Sequence, residues 1–165
     1  MSILNKKISV FVLLFVFLVS FSSNAYAKSP KEYHLIPQKT LPGSTSYNLK
    51  RVKEKVLMAL SLTSKSKFEY GQILVAKRMS ELVSIVENKN INQIPNSSQR
   101  FAYQAGLLAE AHEKLKDKRM DQVVTQFTNH KKTLSDLRDN YPSNSAHWLY
   151  MQQDIDTLDI LIDKL

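Results

Sequence analysis

Residues 41–82 read LPGSTSYNLKRVKEKVLMALSLTSKSKFEYGQILVAKRMSEL. A Pro-Gly turn opens the stretch. Leu49, Val52, Val56 and Leu60 then recur at three- and four-residue steps, the spacing that places side chains on one face of a helix. Lys50, Arg51, Lys53 and Lys55 fill most of the remaining surface. The pattern predicts a first helix over about 46–61, with its apolar stripe toward the core and Ser46 as the N-cap. A second helix is predicted over about 66–88, with Ser66-x-x-Glu69 as a capping box. Its expected buried stripe is Phe68, Val75, Met79, Leu82 and Val86. Gly71 costs about 1 kcal/mol in a helix relative to alanine, which suits a place where another segment approaches closely.

If these helices fold back about Thr63, Tyr47 comes near Glu81 and Arg51 near Ala76. Glu81 is then within reach of Lys50 or Arg51, while Arg78 and Tyr47 close the open end. An exposed pair of this kind contributes only about 0–1 kcal/mol, so its expected role is to set register.

The same stretch resembles the DUF5667 family, a bacterial domain of unknown function. The resemblance rests on Leu41-Pro42-Gly43-Ser44, Tyr47, Leu49-Lys50-Arg51 and Glu54, then on Ala76, Arg78, Glu81 and Leu82. It covers about 41–87, under a third of the chain. It implies a helical extracytoplasmic module and no particular reaction.

Outward from this stretch, residues 1–27 have the parts of a secretory signal peptide. Lys6 and Lys7 precede an apolar run over 8–21, and Ala25-Tyr26-Ala27 is a small-x-small cleavage site. The run has 14 residues, against the ~20 that a spanning helix needs. Cleavage after Ala27 is therefore expected over retention as an anchor. It would leave 138 residues with 21 Lys/Arg and 15 Asp/Glu, a net charge of +6 and no transmembrane segment. The chain has no cysteine, which excludes disulfides, cysteine-based zinc sites and a thiol nucleophile. Residues 28–45 hold Pro30, Pro37 and Pro42 without helical period and read as an extended lead-in, laid over the core through Tyr33, Leu35 and Ile36.

Three more helices are expected downstream, over about 97–116, 120–139 and 145–165. Their stripes are Phe101, Ala105, Leu108, His112 and Leu115; Met120, Val123, Phe127, His130, Leu134, Leu137 and Tyr141; and Trp148, Met151, Ile155, Leu158, Ile162 and Leu165. The first two stripes are out of phase, which places a turn at 116–119. Pro95 is expected to keep the preceding link open. With three glycines in 165 residues, the fold class is all-α: an antiparallel bundle or stacked hairpins of about five amphipathic helices forming one domain over 46–165. A tetratricopeptide pattern over 98–142 fails at its small and aromatic positions.

Catalytic and metal motifs are sparse. His112-Glu113 begins like a zinc-protease motif, but the second histidine would be residue 116, which is Lys116. His112 and His130 read as core-edge histidines, and no Glu-x-x-His pair suits a di-iron site. Asp154, Asp156, Asp159 and Asp163 diverge around one helix and read as a solvated acidic face rather than a calcium loop. No enzyme activity and no cofactor are expected. Two alternatives stay open: a secreted hydrolase whose serine, histidine and carboxylate meet only in space, and a binder of a small apolar ligand in a cavity lined by Phe101, Phe127 and Trp148.

Charge is the most functional signal. Residues 28–78 carry 11 Lys/Arg against three acids, whereas 139–165 carry one lysine against five aspartates. Either the acidic last helix packs beside the basic first one, or the basic hairpin meets a protein or an anionic envelope component. Nucleic acid is not expected. The candidate interaction surface is Lys50, Arg51, Lys53, Lys55, Lys77 and Arg78.

Overall fold

The computed structural model describes residues 28–115 and 120–165. The signal peptide expected over 1–27 and the turn expected over 116–119 lie outside the described residues. Among the described residues, five α-helices follow a short 3-10 turn at Pro30–Tyr33: α1 Tyr47–Leu60, α2 Ser64–Glu87, α3 Ile94–Glu113, α4 Met120–Arg138 and α5 Ala146–Lys164. No strand occurs among the described residues.

The order of packing is set by where the apolar stripes fall. α2 packs most extensively on α3, α3 on α5 and α5 on α4, and a smaller contact of α4 with α2 closes the ring. The core these four helices enclose includes Phe68, Met79, Leu82, Phe101, Leu108, Phe127, Leu134, Met151 and Leu158. Each such large side chain contributes about 1.5–3 kcal/mol by leaving water. Gly71 lies where α2 meets α3. A Cβ there would sit 3.3 Å from Leu108 Cδ1, so the missing side chain is what lets the two helices approach.

Several helix ends differ from expectation. α2 starts two residues early because Thr63 is its N-cap and forms a reciprocal box with Ser66, in place of Ser66 with Glu69. Ser46 precedes α1 without any side-chain cap bond. α3 starts at Ile94, with Pro95 in its first turn. That is where a missing N–H breaks no helical bond, so the proline begins this helix instead of holding the link open. Ser145 caps α5 as expected, accepting from the Trp148 N–H at 3.3 Å.

The lead-in is folded down at one end and open at the other. Tyr33 and Leu35 pack against the core, while Ile36 is exposed. Its carbonyl accepts from Ser80 Oγ at 2.7 Å. Gly43 has φ 93°, a left-handed conformation that suits glycine at the Pro-Gly turn, and it brings the chain against Gln93 just before α1.

α1 contradicts its own amphipathic pattern. Leu49, Val52, Val56 and Leu60, expected in the core, are 74%, 57%, 51% and 66% exposed. The buried residues of this helix are Tyr47 and Glu54. Its polar side faces the bundle and its apolar side faces outward.

Candidate functional site

The polar side of α1 meets a cluster of charges carried by α2. Arg78 and Glu81 are three residues apart and so share a face of that helix, and both are 1% exposed. Arg78 Nη1 donates to Glu81 Oε1 at 2.6 Å, and its Nη2 donates to Glu54 of α1. Lys50 Nζ donates to Glu81 Oε1 at 2.6 Å, and the Tyr47 hydroxyl donates to Glu81 Oε2 at 2.8 Å. Lys50 also reaches Gln38 Oε1 at 3.0 Å and the Thr40 carbonyl at 3.2 Å, tying the lead-in to the same point. Arg51 lies 3.6 Å from Glu54, not against Glu81. The Arg100 guanidinium, from α3, sits over the Tyr47 ring at 5.1 Å.

This network explains why α1 is turned as it is. A buried carboxylate or guanidinium that loses its partner costs about 3–5 kcal/mol. Arg78 and Glu81 are embedded in α2, so Tyr47, Lys50 and Glu54 must face inward to pair with them. Those three lie within two turns on one side of α1, and helical geometry then points Leu49, Val52, Val56 and Leu60 away. Residue types that carry the family resemblance, Tyr47, Lys50, Arg51, Glu54, Arg78 and Glu81, meet in this one cluster.

Its electrostatics lock the groups in place. Burial, followed by the Glu81 anion, pushes the Tyr47 hydroxyl up to about 12. Burial lowers the Arg78 pKa, but Glu81 and Glu54 outweigh it and the guanidinium is held more firmly charged. Tyr70 nearby is raised by burial and then by Glu54. Near neutral pH none of these three groups can act as a proton acceptor, so the cluster works as a latch.

The sequence-based interaction surface is therefore split. Arg78 is buried between carboxylates, and Lys50 is committed to Glu81, so neither is free to meet a partner. Arg51 is partly covered beside Glu54, and Lys77 is half-buried with its ammonium 6.0 Å from the Tyr70 ring centre. Lys53 and Lys55 are exposed on α1. What the charge reading missed is the apolar face beside them. Its signal was present, since the same helix carried both a stripe and the Tyr47, Lys50 and Glu54 spacing that opposes it.

Other candidates resolve differently. His112 packs on Phe68 at 6.0 Å between ring centres, and His130 is edge-on to Phe101 at 5.8 Å. Burial lowers the His130 pKa to about 4. Asp154 is not on the solvated acidic face: it is 1% exposed, between α3 and α5. Burial pushes its carboxyl up to about 8, against a smaller lowering by a hydrogen bond with Ser98. Among the described residues, no group of three or more His, Cys, Asp or Glu is placed to hold a metal. A groove of about 780 Å³ runs between the lead-in, α2 and α4, and passes Tyr33, Gln72, Gln126 and His130. Neither this groove nor either of two smaller cavities found beside α3 among the described residues is lined by Phe101, Phe127 or Trp148. The described ion pairs do not join the terminal aspartates to α1, since Asp159 pairs with Lys131 of α4.

The class is thus an all-helical bundle with an outlying helix latched on by buried charge. The chain belongs to the DUF5667 family, a domain of unknown function, whose model matches residues 39–144. That match reaches beyond the first hairpin and takes in α3 and α4. No curated protein and no solved structure matches the chain.

Proposed function

We propose that this protein is an extracytoplasmic, non-enzymatic helical module that binds another component of the cell envelope through the outward face of α1. The observation that carries the reading is the inversion of α1: its apolar stripe is exposed while its polar side is fixed to the bundle. An exposed apolar patch rimmed by charge marks an interaction site, and the latch gives that patch a defined orientation. Export rests on the signal-like pattern of residues 1–27. The non-catalytic role is supported by the polar groups that do converge, since Tyr47, Arg78 and Glu81 are bonded to one another.

The test is site-specific photo-crosslinking in the native host, with the reactive side chain at position 56 or, as control, at exposed position 103 on α3. Adducts at 56 and none at 103 are expected. Equal labelling at both positions, or none at 56, would refute the contact face.

A further inference from the structure

We infer that α1 is an interfacial membrane helix, its outward face seated at the headgroup–acyl boundary of an anionic leaflet with the four-helix bundle held above it. This rests on the α1 face being the contact surface proposed above, and it names what covers that face.

The dimensions fit a helix lying in the membrane plane. The 14 residues of α1 span roughly 21 Å at 1.5 Å per residue, short of the ~30 Å hydrocarbon core. Among the described residues, no helix is long and apolar enough to cross a membrane. The stripe of Leu49, Val52, Val56 and Leu60 is extended by Leu57 and Leu62, both exposed. A helix with such a face and lysines beside it is the form that binds bilayer surfaces.

Charge selects the anionic leaflet. Between residues 47 and 67 the one acid in the sequence is Glu54, and it is buried in the latch. What this segment shows to solvent is therefore apolar, neutral or cationic and carries no anion, with Lys53, Lys55 and Lys67 all exposed. The latch removes the negative charge that would be repelled by a phosphate layer.

Other occupants match less of this surface. A second copy docking α1 to α1 would set Lys53 and Lys55 against their equivalents. A second copy offering its acidic α5 would supply Asp156 and Asp163, but its exposed face has Leu149 and Ile160 as large apolar groups against the six on and beside α1. A soluble anionic polymer would meet the lysines and leave the apolar stripe in water. A bilayer satisfies both, and it needs no shape complementarity because acyl chains conform to the side chains.

The experiment is vesicle flotation of the exported protein, purified from a host that expresses the full sequence. Vesicles contain phosphatidylethanolamine with phosphatidylglycerol, or phosphatidylcholine alone. Binding to the anionic vesicles and little to the neutral ones is expected. Lys53→Gln with Lys55→Gln should weaken it by roughly 30-fold, at about a factor of five per lysine. Val56→Asp with Leu60→Asp should abolish it while leaving the circular dichroism spectrum unchanged, because both positions are solvent-exposed. No binding to anionic vesicles, with protein adducts still formed at position 56, would overturn the membrane helix and leave the module reading intact. Concentration-dependent self-association abolished by Val56→Asp with Leu60→Asp, without vesicle binding, would assign the face to a second copy and likewise overturn it. Neither vesicle binding nor adducts would overturn both readings.

Discussion

Replacing Asp154 with asparagine should stabilise the protein, and by an amount that depends on pH in a defined way. Asp154 is almost fully buried between α3 and α5, and Oδ2 has no hydrogen-bond partner among the described residues. Burial raises its pKa from 3.8 to about 8, so the folded state holds a proton that the unfolded chain releases above pH 4. The native state then binds more protons than the unfolded state across this window, and stability falls as pH rises from about 4 to about 8. The loss is about 1.4 kcal/mol per pH unit, or about 4 kcal/mol between pH 4 and pH 7. An asparagine side chain cannot ionise, so the variant escapes this loss.

His130 complicates the wild-type profile and explains why the variant is needed. Its pKa is lowered by burial from 6.5 to about 4. The stability tied to its neutral form is complete above pH 6.5 and is lost as pH falls toward 4, the opposite slope to Asp154. The two nearly cancel over much of the acidic range, so wild-type stability alone is uninformative there. The difference between Asp154→Asn and wild type removes the histidine contribution, which is common to both. Urea unfolding at several pH values should show that difference growing from about pH 4 and levelling above about pH 8. A difference that stays flat between pH 5 and pH 8 would refute the buried, protonated carboxyl.

Arg78→Met should strand Glu54 and Glu81 in the interior and cost about 3–5 kcal/mol in denaturant unfolding, and hydrogen exchange should show α1 losing protection before the bundle does. Leu49→Ser and Leu60→Ser should each change stability by no more than about 0.5 kcal/mol, because both side chains are already in water; a thermal shift typical of a core truncation would mean that α1 is turned inward. Gly71→Val should destabilise by about 1–3 kcal/mol in the same urea assay, since its side chain would press on Leu108 in a filled core.

Much of the bundle was legible because periodicity reports burial wherever a helix has a single apolar face and a core to put it in. Phe68, Val75, Met79 and Leu82 on α2, and Phe101, Ala105 and Leu108 on α3, are buried as their spacing implied. The Tyr47–Glu81 contact was legible too, because a tight hairpin fixes which residues face each other, and the hydrogen bond lies where that register puts it. Pro95 misled the reading because proline interrupts a helix interior but is welcome in a first turn, and sequence alone does not say which position it holds. In the sequence Asp154 groups with Asp156, Asp159 and Asp163 as charges diverging around one helix, and that grouping reads as a solvated face. Yet position 154 falls three residues after Met151 and four before Leu158, so helical period already places it on the core face, where α3 covers it.

The sequence by itself determined the helices, the spacing of their stripes, the missing cysteine chemistry and the separation of basic and acidic ends. These are properties of single segments or of composition, and local geometry suffices to state them. Only the tertiary structure decided the orientation of α1. Its apolar stripe and its Tyr47, Lys50 and Glu54 side compete for the same neighbour, and hydrophobic pattern alone favours the stripe. The choice goes to the polar side because Arg78 and Glu81 lie on the face of α2 that meets α1 and find their partners there. Stranding those two charges would cost about 3–5 kcal/mol each, which offsets what burying four leucine and valine side chains would return.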